Sequence, residues 1–293
     1  MKTSQRLAIG LPVYNGEEYL EETLLSLQKQ TFQDYTLIIS DNASTDRTGE
    51  ICQTYAAMDP RIRYFRNDKN IGATQNWYRV FDLSSSEYFA SVAHDDLYAP
   101  EYMQKCIDVL DCDPSVVLCY SKTKVIDESG NILGDFTVKV DTTSPNPHDR
   151  LYNVLAIDAL CVQLYGVMRS SALRSTKVYV GYYGCDRNTL FELSLLGKLQ
   201  EIPEYLFFHR LYPGALGIAM NSGKTVDELL VLDPGADWRY RSTFKTIYRN
   251  YFASISHLVA PPSERIRCYQ HLTRLIFQKA VRRVNRQMKN SAS

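Results

Sequence analysis

Several features that mark other protein classes are absent from this sequence. Its 293 residues contain no apolar run long enough to cross a bilayer, and no secretory signal peptide is recognisable at the start. The seven cysteines are odd in number and form no Cys-x-x-Cys pair, which argues against a disulfide framework. We therefore expect a cytoplasmic protein with reduced cysteines.

Net charge is absent as well, because 33 basic residues balance 33 acidic ones. This balance gives no overall signature of nucleic-acid binding, and we expect no nucleic-acid partner. The balance conceals an asymmetry, since residues 236–293 contain 12 basic and only two acidic residues. The body of the protein is thus acidic and its tail strongly basic.

Patterns of buried strands and amphipathic helices alternate along the first 210 residues. Apolar runs predict strands at 7–14, 35–40, 62–65, 88–93, 116–120 and 201–208. The helix after the second strand is expected to bury Ile51, Tyr55 and Met58. We expect residues 124–150 to be irregular and residues 161–168 to form a strand that leads into a short helix. Alternating strands and helices favour an α/β fold with a largely parallel sheet, whose ligands bind at the carboxyl edge.

Polar clusters fall at that edge, where three of the predicted strands end. Asp95 and Asp96 follow a buried run, and adjacent buried acids are costly unless a positive charge lies beside them. A divalent cation that holds a phosphorylated ligand would meet this need. The alternative is that the acid pair only caps the next helix. Asp41 ends the second strand, and its alternative role is a turn carboxylate bonded to its own backbone.

Six motifs follow one another in order: Leu11-Pro12-Val13-Tyr14-Asn15 with Glu18, Ser40-Asp41-Asn42-Ala43-Ser44-Thr45-Asp46, Asn70-Ile71-Gly72, His94-Asp95-Asp96, Cys185-Asp186 and His209-Arg210-Leu211-Tyr212. In this order and spacing, residues 6–217 resemble the family 2 glycosyltransferases. The resemblance implies a GT-A type α/β fold, in which a mostly parallel central sheet is flanked by helices, with a C-terminal helical appendage. It implies a catalytic domain at 1–220, with a nucleotide-binding half at about 1–120 and an acceptor half at about 121–220, and a basic helical extension at 221–293.

The resemblance also implies a role for individual residues. Asp96 would bind Mn²⁺ or Mg²⁺, and Asp186 would be the catalytic base that deprotonates the acceptor hydroxyl. Asp41 would read the nucleobase, with uracil expected. The nucleotide-binding candidates are Pro12, Val13, Tyr14, Glu18, Asp41, Asn70, Asp95, Arg210 and Tyr212.

The sequence departs from the family pattern at three places, and simpler roles remain open for several candidates. His94 stands where the metal triplet commonly begins with Asp, Cys185 stands where an acid precedes the catalytic Asp, and Tyr212 stands where His is often found. His94 is expected to be a hydrogen-bonded pocket residue, with direct metal ligation as the alternative. Tyr14 could instead be a core residue, Asp186 a helix cap, and Arg210 a surface ion-pair partner.

The function implied is a metal-dependent inverting transfer of a sugar from a nucleoside diphosphate, with UDP expected, to a hydroxyl of a saccharide or lipid-linked glycan. A nucleotidyltransferase and a non-catalytic nucleotide-sugar-binding module are the alternatives. A dinucleotide-binding Rossmann protein is disfavoured because no Gly-x-Gly-x-x-Gly follows the first strand.

The basic tail is expected to form two helices, separated by Pro261-Pro262. The first carries an aromatic face from Tyr240 to Phe252, and the second ends in Lys279, Arg282, Arg283, Arg286 and Lys289. A basic amphipathic helix can lie on an anionic bilayer, which would place the protein peripherally at the inner face of the membrane. The alternative is packing on the body or self-association with a second subunit.

Overall fold

The computed structural model describes residues 5–136, 138, 140, 142–155, 161–176, 185–212 and 244–290, with backbone alone at 244–246, 280 and 282–290. The strands are β1 Leu7–Val13, β2 Tyr35–Asp41, β3 Ile62–Arg66, β4 Tyr88–Ser91, β5 Leu97–Tyr98, β6 Val116–Ile126, β7 Ile132–Phe136, β8 Val167–Arg169 and β9 Lys198–Arg210. The helices are α1 Leu20–Gln28, α2 Thr48–Met58, α3 Ala73–Asp82, α4 Tyr102–Cys112, α5 Pro147–Leu155, α6 Ser170–Ser175, α7 Cys185–Leu196, α8 Phe244–Leu258 and α9 Pro262–Asn290. A 3-10 turn, Val162–Tyr165, precedes β8.

The described strands form a single sheet in the order β3-β2-β1-β4-β8-β6-β9-β5, with β7 beside β6. The four strands β3, β2, β1 and β4 are mutually parallel, and β6 and β9 are parallel to each other. Strands β8, β7 and β5 join them in antiparallel pairings. This mixed sheet, built around parallel strands and flanked by helices, confirms the predicted α/β fold.

The sheet separates two apolar cores, as the alternation of side chains along β1 requires. Leu7, Ile9 and Leu11 face the core beneath α1, α2 and α4. Ala8 faces the other core, which α3, α5, α7, α8 and α9 cover. On that face, a Cβ on Gly10 would lie 2.6 Å from the ring of Phe89. Glycine at position 10 therefore lets α3 and β4 pack close to the central strand.

Three of the local predictions are wrong. Met58 is 71% exposed because it ends α2, where the chain turns away from the sheet towards β3. The region 124–150 is not irregular, since β6 continues to Ile126, β7 pairs back on it, and α5 begins at Pro147. In 161–168 the 3-10 turn comes first, and the strand β8 follows it before α6.

The C-terminal helices pack on the body, α8 against α7 and α9 against both α5 and α8. The start of the predicted aromatic face at Tyr240 and the predicted domain boundary near residue 220 lie outside the described residues. None of the seven cysteines, all of which lie in the described part of the chain, forms a disulfide. Among the described residues, no helix combines the length and the apolar character that crossing a bilayer would need.

Candidate active site

The carboxyl ends of β1, β2 and β3 lie side by side. Val13 pairs with Asp41, and Asp41 pairs with Arg66. The backbone N–H of Asn42 donates to the carbonyl of Val13 at 2.8 Å, and that of Asn67 donates to the carbonyl of Asp41 at 2.8 Å. The loops after these strands are therefore held together at the edge where the sequence predicts ligand binding.

Asp41 is fully buried at this edge and is held on both carboxylate oxygens. Its Oδ1 accepts a hydrogen bond from the backbone N–H of Ser44 at 2.8 Å, so the turn role left open above is present. Its Oδ2 accepts from the Tyr64 hydroxyl at 2.8 Å and from the Arg66 guanidinium. Burial, followed by the hydrogen bond to Asp41, raises the pKa of Tyr64 to about 12. The Arg66 cation compensates the buried Asp41 charge. Recognition of a nucleobase by Asp41 stays a prediction.

Side-chain amides connect β2 to the turn that contains Asn70. The Asn42 side chain donates to Asn70 Oδ1 at 2.7 Å and accepts from the backbone N–H of Ile71 at 2.9 Å. Asn67 donates to both Asn42 and Asn76, at 2.9 and 3.0 Å. A network in which every amide has partners is rigid, so it holds Asn70 at a defined place beside the strand ends.

The predicted nucleotide-binding residues of the first motif line the beginning of the loop after β1. Val13 is buried and Pro12 is half-buried, whereas Tyr14 is 37% exposed. That exposure does not fit a core role for Tyr14 and leaves its ring face open. Glu18 is exposed beside Tyr19. Burial, then a hydrogen bond with Glu18, raises the pKa of Tyr19 to about 12.

The loop between β1 and α1 has a backbone conformation and a close packing that few other residue types could accommodate. Asn15 has a φ of 50°, a left-handed value that Asn tolerates better than most residues. The backbone N–H of Gly16 donates to the Thr48 hydroxyl at 2.8 Å. A Cβ on Gly16 would lie 2.5 Å from Cδ2 of His94 and 2.8 Å from Val13. The His94 ring therefore packs against this loop, next to the acid pair.

Asp96 has one satisfied and one unsatisfied carboxylate oxygen. The residue is fully buried, and its Oδ1 accepts hydrogen bonds from His209 Nδ1 at 3.0 Å and from the Arg210 backbone N–H at 2.9 Å. Its Oδ2 is buried without a hydrogen-bond partner among the described residues. Burial raises the pKa of Asp96. A buried oxygen left unpaired is costly, and a hard cation is the ligand that would satisfy it, so the residues here fit a Mn²⁺ or Mg²⁺ site.

Asp95, the other member of the pair, lies beside the last predicted motif. Its Oδ2 accepts a hydrogen bond from the Tyr212 hydroxyl at 3.0 Å. The Tyr212 ring packs on Tyr19 with centroids 5.0 Å apart. Burial, and then the charge of Asp95, raises the pKa of Tyr212. The structure thus brings Asp95 and Tyr212 together, as expected if both face one ligand.

Arg210 is fully buried, so it is not a surface residue as the alternative expected, but the ion pair of that alternative is present, with Glu22. Its Nε donates to the Asp95 carbonyl at 2.9 Å, and its Nη1 donates to the carbonyls of Asp127 and Glu128 at 3.2 and 2.7 Å. Its Nη2 donates to Glu22 Oε2 at 2.6 Å. These bonds position the acid pair against the turn after β6. Direct contact of Arg210 with a diphosphate stays a prediction.

The predicted roles did not include His209, although it stands in the His-Arg-Leu-Tyr motif. Burial alone would lower the pKa of His209, but the hydrogen bond and charge of Asp96, aided by the charge of Asp95, outweigh it and raise that pKa. The imidazole thereby orients Asp96 Oδ1 and leaves Oδ2 free. Glu22, from α1, is a second residue for which the sequence carries no local signal.

Asp186 lies in the first turn of α7 and is exposed. Within the described part of the chain, its hydrogen bond is a long one, from Cys185 Sγ at 3.9 Å. Burial, then the charges of Asp96, Asp95 and Asp186, raises the pKa of the Tyr165 phenol.

Another group of metal-type ligands lies elsewhere in the described structure. One ligand atom from each of His148, Asp149 and His271 falls within 4.8 Å of the others. The group belongs to α5 and α9 and does not include Asp96. It therefore gives no support to the predicted cation at the acid pair.

The fold and the edge of strand ends define a GT-A type architecture, and comparisons with known proteins agree. Staphylococcus aureus TarS 1–349, solved with UDP-GlcNAc, is similar with a TM-score of 0.66 at 16% identity, over 92% of this chain and 71% of that one. A mannosyltransferase from Pyrobaculum calidifontis, solved with GDP-Man and Mn²⁺, is similar with a TM-score of 0.52 at 13% identity, over 96% and 81%. Identities this low show the fold alone.

The chain belongs to glycosyl transferase family 2, whose family model matches residues 8–174, more than half of the chain. The predicted family and enzyme class, a glycosyltransferase, are thereby confirmed. An uncharacterized glycosyltransferase from Methanocaldococcus jannaschii is 29% identical over 132 residues, which are 44% of this chain and 46% of that protein. The aligned region thus spans less than half the length of that relative.

Proposed function

We propose that this protein is a metal-dependent inverting glycosyltransferase that moves a sugar from a nucleoside diphosphate, UDP, to a hydroxyl of a saccharide or lipid-linked glycan. The observation that carries the proposal is the buried, unpaired Oδ2 of Asp96, held in place at the carboxyl edge of the sheet. In a family 2 glycosyltransferase fold, such an oxygen is suited to a cation that accompanies a diphosphate.

The nucleotide would lie over the ends of β1 and β2. The exposed Tyr14 ring offers a face for the base, and Asn70 is held at the rim by its amide partners. Asp41 would accept from the imide N–H of uracil, although both of its oxygens already have protein partners. The structural relatives support a nucleotide sugar in general, since one was solved with UDP-GlcNAc and the other with GDP-Man.

Asp96 would supply an oxygen ligand to Mn²⁺ or Mg²⁺, and Asp95 would accept from a ribose hydroxyl or a bound water. When bound, the cation would neutralise the diphosphate as it leaves the anomeric carbon. The Mn²⁺ in the Pyrobaculum calidifontis mannosyltransferase supports this choice of ion.

Asp186 would accept the proton of the acceptor hydroxyl as that oxygen attacks the anomeric carbon from the face opposite the diphosphate. The new carbon–oxygen bond forms as the bond to the diphosphate breaks, and attack from the opposite face inverts the anomeric configuration. Exposure of Asp186 at the start of α7 leaves room for an acceptor to approach.

The organisation of the chain is part of the proposal. The catalytic domain would span 1–220, and the basic helical extension 221–293 would dock on an anionic membrane surface at the inner face of the cell membrane, with self-association as the alternative. The exposed Ile266 and Phe277, at 57% and 70%, support a surface that meets a partner. Flotation with anionic vesicles at low salt, but not with neutral ones, is the expected result. A dimer in solution without flotation would favour self-association.

Asp186→Asn should leave nucleotide binding unchanged and nearly abolish transfer, because the amide cannot accept the proton. The measurements are calorimetry with UDP and Mn²⁺ and the release of UDP from a panel of UDP-sugars. Transfer near the wild-type rate would remove Asp186 from the mechanism.

Asp96→Ala should remove the metal dependence of UDP binding, and an affinity for UDP that still rises with Mn²⁺ would refute the metal assignment.

A further inference from the structure

A second constellation of potential ligands joins the appendage to the body, on the face of the sheet covered by α5 and α9. His148 and Asp149 lie in the first turn of α5, and His271 lies on α9. His148 Nε2 is 3.6 Å from Asp149 Oδ1, and the rings of His148 and His271 are 4.9 Å apart at their centroids. All three residues are partly buried.

The other nitrogen of His148 is already engaged. His148 Nδ1 is hydrogen-bonded to Glu264 Oε1, and the two side chains are only 12% and 17% exposed. A neutral imidazole that donates from Nδ1 carries its lone pair on Nε2, the atom that faces Asp149. Metal-binding histidines commonly donate their second N–H to a carboxylate in this way.

Asp149 is oriented in the same manner. Its Oδ2 accepts hydrogen bonds from the Ser144 hydroxyl at 2.8 Å and from the Asn146 side-chain amide at 3.2 Å. Its Oδ1 is therefore turned towards His148 Nε2. Two of the three candidate ligands thus have supporting partners on the atoms that do not face the cluster.

We propose that His148 Nε2, Asp149 Oδ1 and His271 together bind Zn²⁺. Two imidazole nitrogens and one carboxylate oxygen are ligands typical of zinc, whereas Mg²⁺ prefers oxygen alone. Ligand atoms around a tetrahedral zinc lie about 3.4 Å apart, given bonds of about 2.1 Å. The 3.6 Å between His148 and Asp149 is close to this spacing, and His271, whose ligand atom lies within 4.8 Å of the other two, would complete it with a shift of up to about 1.5 Å.

Such a site would fasten α9 to α5. Direct bonds already join these helices, from the Tyr152 hydroxyl to Gln278 at 3.2 Å and from Lys279 to the carbonyl of Leu155 at 2.9 Å. Because α5 also packs on α7, which carries Asp186, the zinc would stabilise the appendage on the layer that holds the proposed base. Three protein ligands leave the fourth position for water.

The test is zinc binding by the full chain in an Asp96→Asn background, which removes the other proposed cation site. After dialysis against Zn²⁺, one equivalent should remain bound, and Co²⁺ should give the visible absorption of a tetrahedral site. His271→Ala should weaken Zn²⁺ at least 10-fold, and Glu264→Gln should weaken it by about 10- to 100-fold through the lost support of His148. His257→Ala, at an exposed histidine of α8, is the matched control and should leave the affinity unchanged.

Thermal melting without metal shows whether each variant is folded, and His271→Gln replaces the alanine variant if the latter is not. The proposal is overturned if the Asp96→Asn protein binds no Zn²⁺, or if the His271 and Glu264 variants bind it as tightly as the His257 control.

Discussion

Arg210 should contribute strongly to stability, and Arg210→Met is the substitution that tests its role. Methionine keeps much of the apolar volume but removes all five donors. The carbonyls of Asp95, Asp127 and Glu128 would then lose a charged partner at part-buried hydrogen bonds, while Glu22, whose side chain is 56% exposed, could turn to water.

The expected cost follows from those partners. A buried polar group left unpaired costs about 1–3 kcal/mol. The three carbonyl contacts are only part-buried, each carbonyl has a second lone pair, and the turn after β6 can relax, so we expect a loss of about 2–4 kcal/mol, which corresponds to one or two unpaired groups. Arg6 is the matched control, because it bonds Glu87 and Asp111 with its side chain 40% exposed. Arg6→Met should cost less than about 1 kcal/mol.

The assay is urea unfolding followed by tryptophan fluorescence, together with calorimetry of UDP binding. If Arg210 acts mainly by positioning the acid pair, stability and UDP affinity should fall together. A variant that unfolds within about 1 kcal/mol of the wild type, yet no longer binds UDP, would refute the structural role and favour a direct contact with the diphosphate.

Two further substitutions test the site loop and the ion pair of Asp59 with Arg61. Gly16→Ala should destabilise the fold by about 1–3 kcal/mol and weaken UDP binding because its Cβ meets His94; Gly134→Ala, where a Cβ meets nothing within 4 Å, should melt like the wild type. The hydrogen bond from Arg61 holds the pKa of Asp59 below its ordinary 3.8, so the stabilisation is present above that value and lost as pH falls through the lowered pKa. Asp59→Asn should therefore cost up to about 3 kcal/mol at pH 7, and urea unfolding should show the gap to wild type closing on acidification; a gap independent of pH would contradict this linkage.

The central strands could be predicted because each is a short apolar run buried on both faces. The hairpin of β6 and β7 could not, because polar residues from Ser121 to Lys124 interrupt the apolar run of β6, and β6 is stabilised by β9, which is distant in sequence. Lys124 is paired with Asp135 across the hairpin, and β6 is paired with β9 along its length. Because β6 is buried by pairing with a distant strand, the hairpin shows no hydrophobic periodicity of its own.

The same distinction applies to the site. Asp41 and Asp96 could be found because each follows an apolar run at a strand end, and Arg66 could have been, since it directly follows the predicted third strand. The hydrogen bond from His209 to Asp96 spans 113 positions, and the ion pair of Arg210 with Glu22 spans 188. No periodicity in either segment points to the other, so only the fold reveals these contacts.

In the proposed mechanism, a cation at Asp96 and a base at Asp186 serve the same sugar. Crystals grown with UDP and Mn²⁺, measured at the manganese absorption edge, test it most directly. We expect an anomalous peak within bonding distance of Asp96 Oδ2 and the UDP phosphates, with the Asp186 carboxylate across an open cleft from the terminal phosphate. Manganese found away from Asp96, or Asp186 enclosed in a separate pocket, would contradict it.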